Sequence, residues 1–91
     1  DIIKAKELFS QGISLFNVYA ICVSSKTNGL MEIMSTENLL KEVNSYGNYG
    51  IIALVKGRNK ARKKSIRLIE NWLVTHSDLT GFKSHYNQNS F

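Results

Sequence analysis

Proline is absent from this chain and cysteine occurs once. With no pyrrolidine ring to fix φ or remove a backbone donor, helices and strands must be ended by other residues, and the six glycines carry that punctuation. One cysteine excludes an internal disulfide and fits a reducing compartment. Cys22 lies inside an apolar run and reads as a small buried hydrophobe rather than a reactive thiol. The longest uninterrupted apolar stretch runs only from Val18 to Val23, far short of the ~20 residues that span a bilayer. No membrane insertion is therefore expected, no signal-peptide pattern is present, and an intracellular location is expected, with cytoplasm and nucleoid or nucleus undistinguished. Histidine occurs only at His76 and His85, with no metal-ligand spacing, so neither a metal nor a cofactor is expected. There is no Gly-x-Ser-x-Gly elbow and no paired carboxylates. Gly57 is not followed at the required spacing by Gly-Lys-Ser/Thr, which excludes a Walker A loop.

What is present suits one small folded domain. Ninety-one residues, 43% hydrophobic and 21% charged, lie in the ordinary globular range, and we expect a domain over 1–86 with a polar tail over 87–91. Ile2, Ala5, Leu8 and Phe9 share one face of a helix over 2–11, with Gly12 as its C′ residue. Residues 15–25 read as a strand that is apolar on both faces, hence central and covered on both sides. Lys26-Thr27-Asn28-Gly29 contains the Asn-Gly pair of a type I′ turn and predicts a hairpin into a strand over 30–35. Ser35 or Thr36 can cap the next helix, with Glu37 in its first turn, Leu39, Leu40, Val43 and Tyr46 as its apolar stripe, and Gly47 as its stop. Residues 50–55 form a third strand. After Gly57-Arg58-Asn59, with Asn59 as N-cap, a long helix runs from about residue 60 to 76, placing Ala61, Ser65, Leu68, Ile69, Trp72 and Leu73 towards the core. Leu79, Phe82 and Tyr86 suit either a short docking helix or extended contacts. The expected fold is α+β, in the order α-β-β-α-β-α, with a small three-stranded antiparallel sheet ordered 2-1-3.

Charge is unevenly distributed. The formal net charge is +5, and Lys56, Arg58, Lys60, Arg62, Lys63, Lys64 and Arg67 supply seven of the twelve basic residues with no acid between them. Lys60, Lys63, Lys64 and Arg67 follow i, i+3, i+4, i+7 and form one stripe on a helix. Cations beside the positive end of a helix dipole cost on the order of 0.3–1 kcal/mol each at low salt, so acids would suit a purely structural role better. Exposed backbone N–H groups, a glycine turn and several cations together make an anion site, with phosphate the obvious anion. The alternative is a solvated face that maintains solubility. Tyr46, Tyr49 and Tyr86 could add base stacking, or could simply pack within the protein.

Chemically capable acids are few. His76 and Asp78 could act as an acid–base or metal pair near a helix end, although capping by Asp78 is the simpler reading. Glu32 and Glu70 are isolated. Several stretches nevertheless resemble the catalytic domain of GIY-YIG nucleases over roughly residues 16–86. Asn17-Val18-Tyr19 looks like its first motif, Asn28-Gly29 falls in the hairpin turn, Ser45-Tyr46-Gly47-Asn48-Tyr49 precedes a strand, and Ile69-Glu70-Asn71-Trp72-Leu73 is similar to the helix bearing its metal-binding glutamate. The resemblance implies Tyr19 and Glu70 as the surviving catalytic candidates. Its second motif would fall on Glu32-Ile33-Met34, without tyrosine or glycine, and its arginine would fall near Lys41 or Glu42. A degenerate member retaining only binding is what those departures imply.

Three functional expectations follow: a small basic module binding nucleic acid or another polyanion without catalysis, a protein-interaction or self-assembly module using a sheet edge or a terminal helix, and a metal-dependent phosphodiesterase.

Overall fold

The computed structural model describes residues 2–25, 27–46 and 49–88. Its elements are α1 (Ile2–Ser10), β1 (Val18–Val23), β2 (Glu32–Ser35), α2 (Thr36–Tyr46), β3 (Gly50–Lys56), α3 (Arg58–Thr75) and α4 (Phe82–Gln88). The sheet is antiparallel throughout and ordered β2-β1-β3, as expected for a first strand that is apolar on both faces and therefore central. The expected docking segment is the helix α4, and Asn87 and Gln88 form its last described turn.

Both faces of β1 are covered. Ala20, Ile21, Cys22 and Val23 are all buried, which explains why the strand reads as a continuous apolar run rather than an alternation. Ala20 and Cys22 pack with Leu39 of α2, Leu54 and Ile51 of β3, and Phe9 of α1. Residues of the opposite parity meet α3 and α4, which pack on β1 and β3 and bury Ala61, Ser65, Trp72 and Phe82. A register shift between Ile21 and Cys22 lets Ile51 and Leu54 of β3 share one face with their β1 partners. Burial, and then the nearby Glu32 carboxylate, push the Cys22 thiol up to about 12. Cys22 is thus the inert small hydrophobe that its neighbours suggest.

α1 ends as its sequence implies. Gly12 has φ 80, its N–H donates to Phe9 O at 2.9 Å, and Ile13 N–H donates to Leu8 O at 3.0 Å. Those two bonds form a Schellman motif, which needs a left-handed residue at Gly12. At the other end of the same loop, the Thr36 hydroxyl accepts from Leu15 N–H at 2.8 Å and donates to Leu15 O at 3.0 Å. Capping of α2 falls instead to Ser35, whose Oγ accepts from Asn38 N–H at 3.2 Å.

Several local expectations are corrected. β1 starts at Val18, because Asn17 has φ 57 and interrupts an extended chain. No type I′ turn forms at Asn28-Gly29: neither residue has the positive φ that both central positions require, and Cys22 pairs with Glu32, so the link from Val23 to Glu32 is longer than a two-residue turn. Lys83 of α4 ties down that loop, donating from Nζ to Ser24 O at 2.9 Å and to Thr27 O at 2.7 Å. α3 begins at Arg58, so Asn59 lies inside its first turn and Gly57 takes the N-cap position. On α3, Ala61, Ser65 and Trp72 are buried, Leu68 and Ile69 are half-buried, and Leu73 turns to solvent. The stop assigned to Gly47, the turn residue Lys26, and the side chains of Ile2, Ala5, Val43 and Tyr46 lie outside the described residues. No helix among the described residues is long and apolar enough to cross a membrane.

Candidate nucleic-acid interface

The basic segment is built by the end of β3 and the start of α3. Val18 pairs with Lys56, and Gly57 N–H donates to Asn17 O at 2.7 Å, so the loop is fastened to the first residues of β1. Gly57 has φ 92, a conformation that excludes most side chains whatever the space around it. The Gly57 carbonyl accepts the first helical bond, from Ala61 N–H at 3.0 Å. The N–H groups of Arg58, Asn59 and Lys60 then point out of the helix end without an intrahelical acceptor, and no side chain caps them. No acid stands in this first turn. Asn17, Lys56, Gly57, Arg58, Asn59 and Lys60 line an open depression around that end.

All seven expected cations are exposed: Lys56, Arg58, Lys60, Arg62, Lys63, Lys64 and Arg67. Among the described residues none of them makes an ion pair; the described pair, Lys41 with Glu37 at 3.8 Å, lies on α2. The positive field of the segment is therefore not cancelled by a contacting carboxylate. Ser65, on the buried face of the same helix, satisfies its hydroxyl by donating to Arg62 O at 2.7 Å, which allows α3 to seat on the sheet while the cationic stripe faces outward. Lys60 and Lys64 stand one turn apart, and their mutual repulsion adds to the unfavourable interaction with the helix dipole.

Of the tyrosines weighed for stacking or packing, Tyr49 and Tyr86 pack within the protein, and the side chain of Tyr46 lies outside the described residues. Tyr49 packs against the cluster around Ala20 and Leu39. Tyr86 joins a ring cluster with Phe82, at 4.7 Å between centroids, and Trp72. Phe16 precedes Asn17, whose carbonyl accepts from Gly57 N–H, and it is 95% exposed. Asn17 is likewise missed by pattern reading. The signal was there: asparagine is among the few non-glycine residues that enter the left-handed region, and it stands where the apolar alternation would otherwise begin.

His76 and Asp78 have structural partners. Trp72 Nε1–H donates to Asp78 O at 2.8 Å, and the His76 ring stacks on Trp72 with centroids 3.6 Å apart. His76 Nδ1 lies 3.0 Å from Trp72 O, and the His85 ring lies 5.5 Å from Trp72. The Asp78 carboxylate accepts from Thr80 N–H at 3.0 Å and shapes the turn between α3 and α4. That backbone bond first, the Thr80 side chain next, and His76 last hold the Asp78 carboxyl below its usual value. Tyr19 is half-buried on β1 opposite Ser35 and Val55, whereas Glu70 is exposed on α3. Among the described residues no three His, Cys, Asp or Glu side chains are grouped as a metal site.

No protein-family model, curated protein or solved structure matches the chain.

Proposed function

We propose that the chain is a small nucleic-acid-binding module that engages phosphates through Lys56, Arg58, Lys60, Arg62, Lys63, Lys64 and Arg67 without acting on them chemically. The observation that supports this reading is the set of seven exposed cations, unpaired among the described residues, around an uncapped helix start. A solvated face kept only for solubility would have no need of cations at a helix end where they destabilise the fold.

Phosphate contacts position a protein but carry little sequence information, so binding is expected to be weakly sequence-selective and steeply salt-dependent. If all seven cations neutralise duplex phosphates, log K falls with log salt at a slope of about −6, and affinity drops about 10⁴-fold between ~50 and ~200 mM salt. Fluorescence anisotropy with labelled DNA and RNA tests this. The variant with Lys60, Lys63, Lys64 and Arg67 all replaced by glutamine should bind more weakly and lose about 3.6 from the slope. Equal binding by parent and variant would refute the reading.

A second reading is favoured by α3 itself. Ile66 and Leu73 stand two turns apart and are both exposed, and Val74 is also exposed, so the helix offers an apolar strip to a protein partner or a second copy. Sedimentation of a clean monomer, with no partner retained in pull-downs, would count against it. Incubation of nucleic acid with Mg²⁺ or Mn²⁺ tests the catalytic reading through Tyr19 and Glu70; an intact substrate would remove it.

A further inference from the structure

Phe16 breaks the pattern of its own strand. In an extended chain it would share a face with Val18, Ala20 and Cys22, the face that α1 and α2 cover. The left-handed backbone of Asn17 ends that alternation, and Phe16 lies 95% exposed while Ala20 and Cys22 have no exposure. The ring is thus the most exposed large apolar side chain among the described residues. It is also next in sequence to Asn17, which lines the basic depression and whose carbonyl accepts from Gly57 N–H. An exposed aromatic residue is therefore next in sequence to the backbone group that fastens the basic loop.

We propose that the ligand of this interface is a single-stranded nucleic acid, with one base stacked on Phe16 and the neighbouring phosphates held by Lys56, Arg58 and Lys60. The inference rests on the polyanion reading above and narrows it. Cations alone serve a duplex and a single strand alike, because both present phosphates. A solvent-facing ring discriminates between them. The bases of a duplex are stacked on one another, whereas an unpaired base offers its π-face to an aromatic side chain. Stacking of this kind tolerates any base, which matches a patch that otherwise reads only phosphate. Single-stranded DNA and RNA share this chemistry, and separate arms of the test distinguish them.

The test compares four labelled ligands of about 12 nucleotides: a thymidine strand, a uridine strand, an abasic strand and a duplex. The parent is set against Phe16→Ala, Phe16→Trp and the glutamine variant of Lys60, Lys63, Lys64 and Arg67. Because Phe16 is almost fully exposed, its replacement leaves the core untouched, and circular dichroism checks that each variant is folded. The parent should prefer single strands to the duplex at matched salt. Phe16→Ala should weaken binding to a base-bearing single strand about tenfold and leave the abasic strand and the duplex unchanged. Phe16→Trp should retain binding, and its added indole emission should be quenched by a base-bearing strand but not by the abasic one. An effect on the thymidine strand alone, the uridine strand alone, or both would support the proposal and identify the strand type. Phe16→Ala binding every ligand like the parent, or losing equally on all four, would overturn the stacking proposal while salt-sensitive loss in the glutamine variant left phosphate binding standing. A parent that binds none of the ligands at low salt would overturn both.

Discussion

Lys60 gives the sharpest separation between a functional and a structural account of the basic segment. It occupies the third position of α3, counting from Arg58, and no acid accompanies it in the first turn. There it opposes the helix dipole by about 0.5 kcal/mol at low salt. It also stands one turn from Lys64, a like-charge pair that costs about 0.3 kcal/mol. Lys60→Glu reverses both interactions: the dipole contribution changes by about 1 kcal/mol, and the interaction of the introduced carboxylate with Lys64 by about 0.6 kcal/mol. The expected gain is about 1.5 kcal/mol, and Lys60→Gln should deliver about half of it.

Urea unfolding at low ionic strength, followed by circular dichroism, measures the gain directly as a shift in midpoint without a change in slope. In thermal unfolding, each 1 kcal/mol is worth about 4–8 °C for a domain of this size. The gain should shrink in ~1 M salt, where the Debye length is only ~3 Å. Nucleic-acid affinity should move the opposite way, with Lys60→Glu weakening binding. A variant both more stable and poorer at binding is the outcome that a functional charge predicts. A Lys60→Glu protein no more stable than the parent at low salt would refute the reasoning, since the dipole argument would then have no measurable basis.

Three further outcomes follow from the packing. Thr36→Val removes the hydroxyl that both accepts from and donates to Leu15, and leaves these part-buried groups without their partner, so urea unfolding should show a loss of about 1–3 kcal/mol. Asp78 has a carboxyl held below its usual value of 3.8, so its stabilising contribution is present above that pH and disappears as pH falls through the lower folded value. Asp78→Asn should therefore be less stable than the parent at neutral pH, and the difference in thermal midpoint should close on acidification; a gap independent of pH would contradict this assignment. Cys22, buried and pushed up to about 12, should react with a thiol reagent at mildly alkaline pH only as fast as the protein unfolds, and fast labelling in native buffer would contradict its placement.

How much of this could be read from the chain depended on the range of the interaction concerned. The sheet order followed from one local fact, the apolar run from Val18 to Val23, because a strand buried on both faces has to be central. Gly12 was legible because a Schellman motif is closed within a few residues. Asn28-Gly29 misled for the opposite reason. Its turn preference is local, but the loop is held by Lys83, which lies more than fifty residues away on α4. Likewise Asn59 has the side chain of a good cap, yet the strand pairing that carries Lys56 opposite Val18 fastens Gly57 to Asn17 and starts the helix earlier than a cap at Asn59 allows. The seven cations were visible as a charge run. Their exposure followed from the placement of Ala61, Ser65 and Trp72 on the opposite side of α3, whereas the exposure of Phe16 was hidden by reading residues 15–25 as one continuous strand.

That last miss bears on function. Across most of the chain, local preference and tertiary placement agree: apolar residues are buried, Gly12 ends a helix and Ser35 begins one. Three departures meet at the junction of β1, β3 and α3. Asn17 adopts a left-handed backbone, Phe16 leaves the covered face for water, and α3 opens uncapped with Arg58 and Lys60 against its dipole. Each departure is unfavourable for folding on its own. Local rules are most often broken together where a site needs the broken geometry, so the convergence is an argument distinct from the count of charges. On the proposed reading, it points to the junction, rather than the length of α3, as the place where ligand identity would be decided. The Phe16 and Lys60 variants should consequently fail in different ways, one losing discrimination between stacked and unstacked bases and the other losing affinity for both.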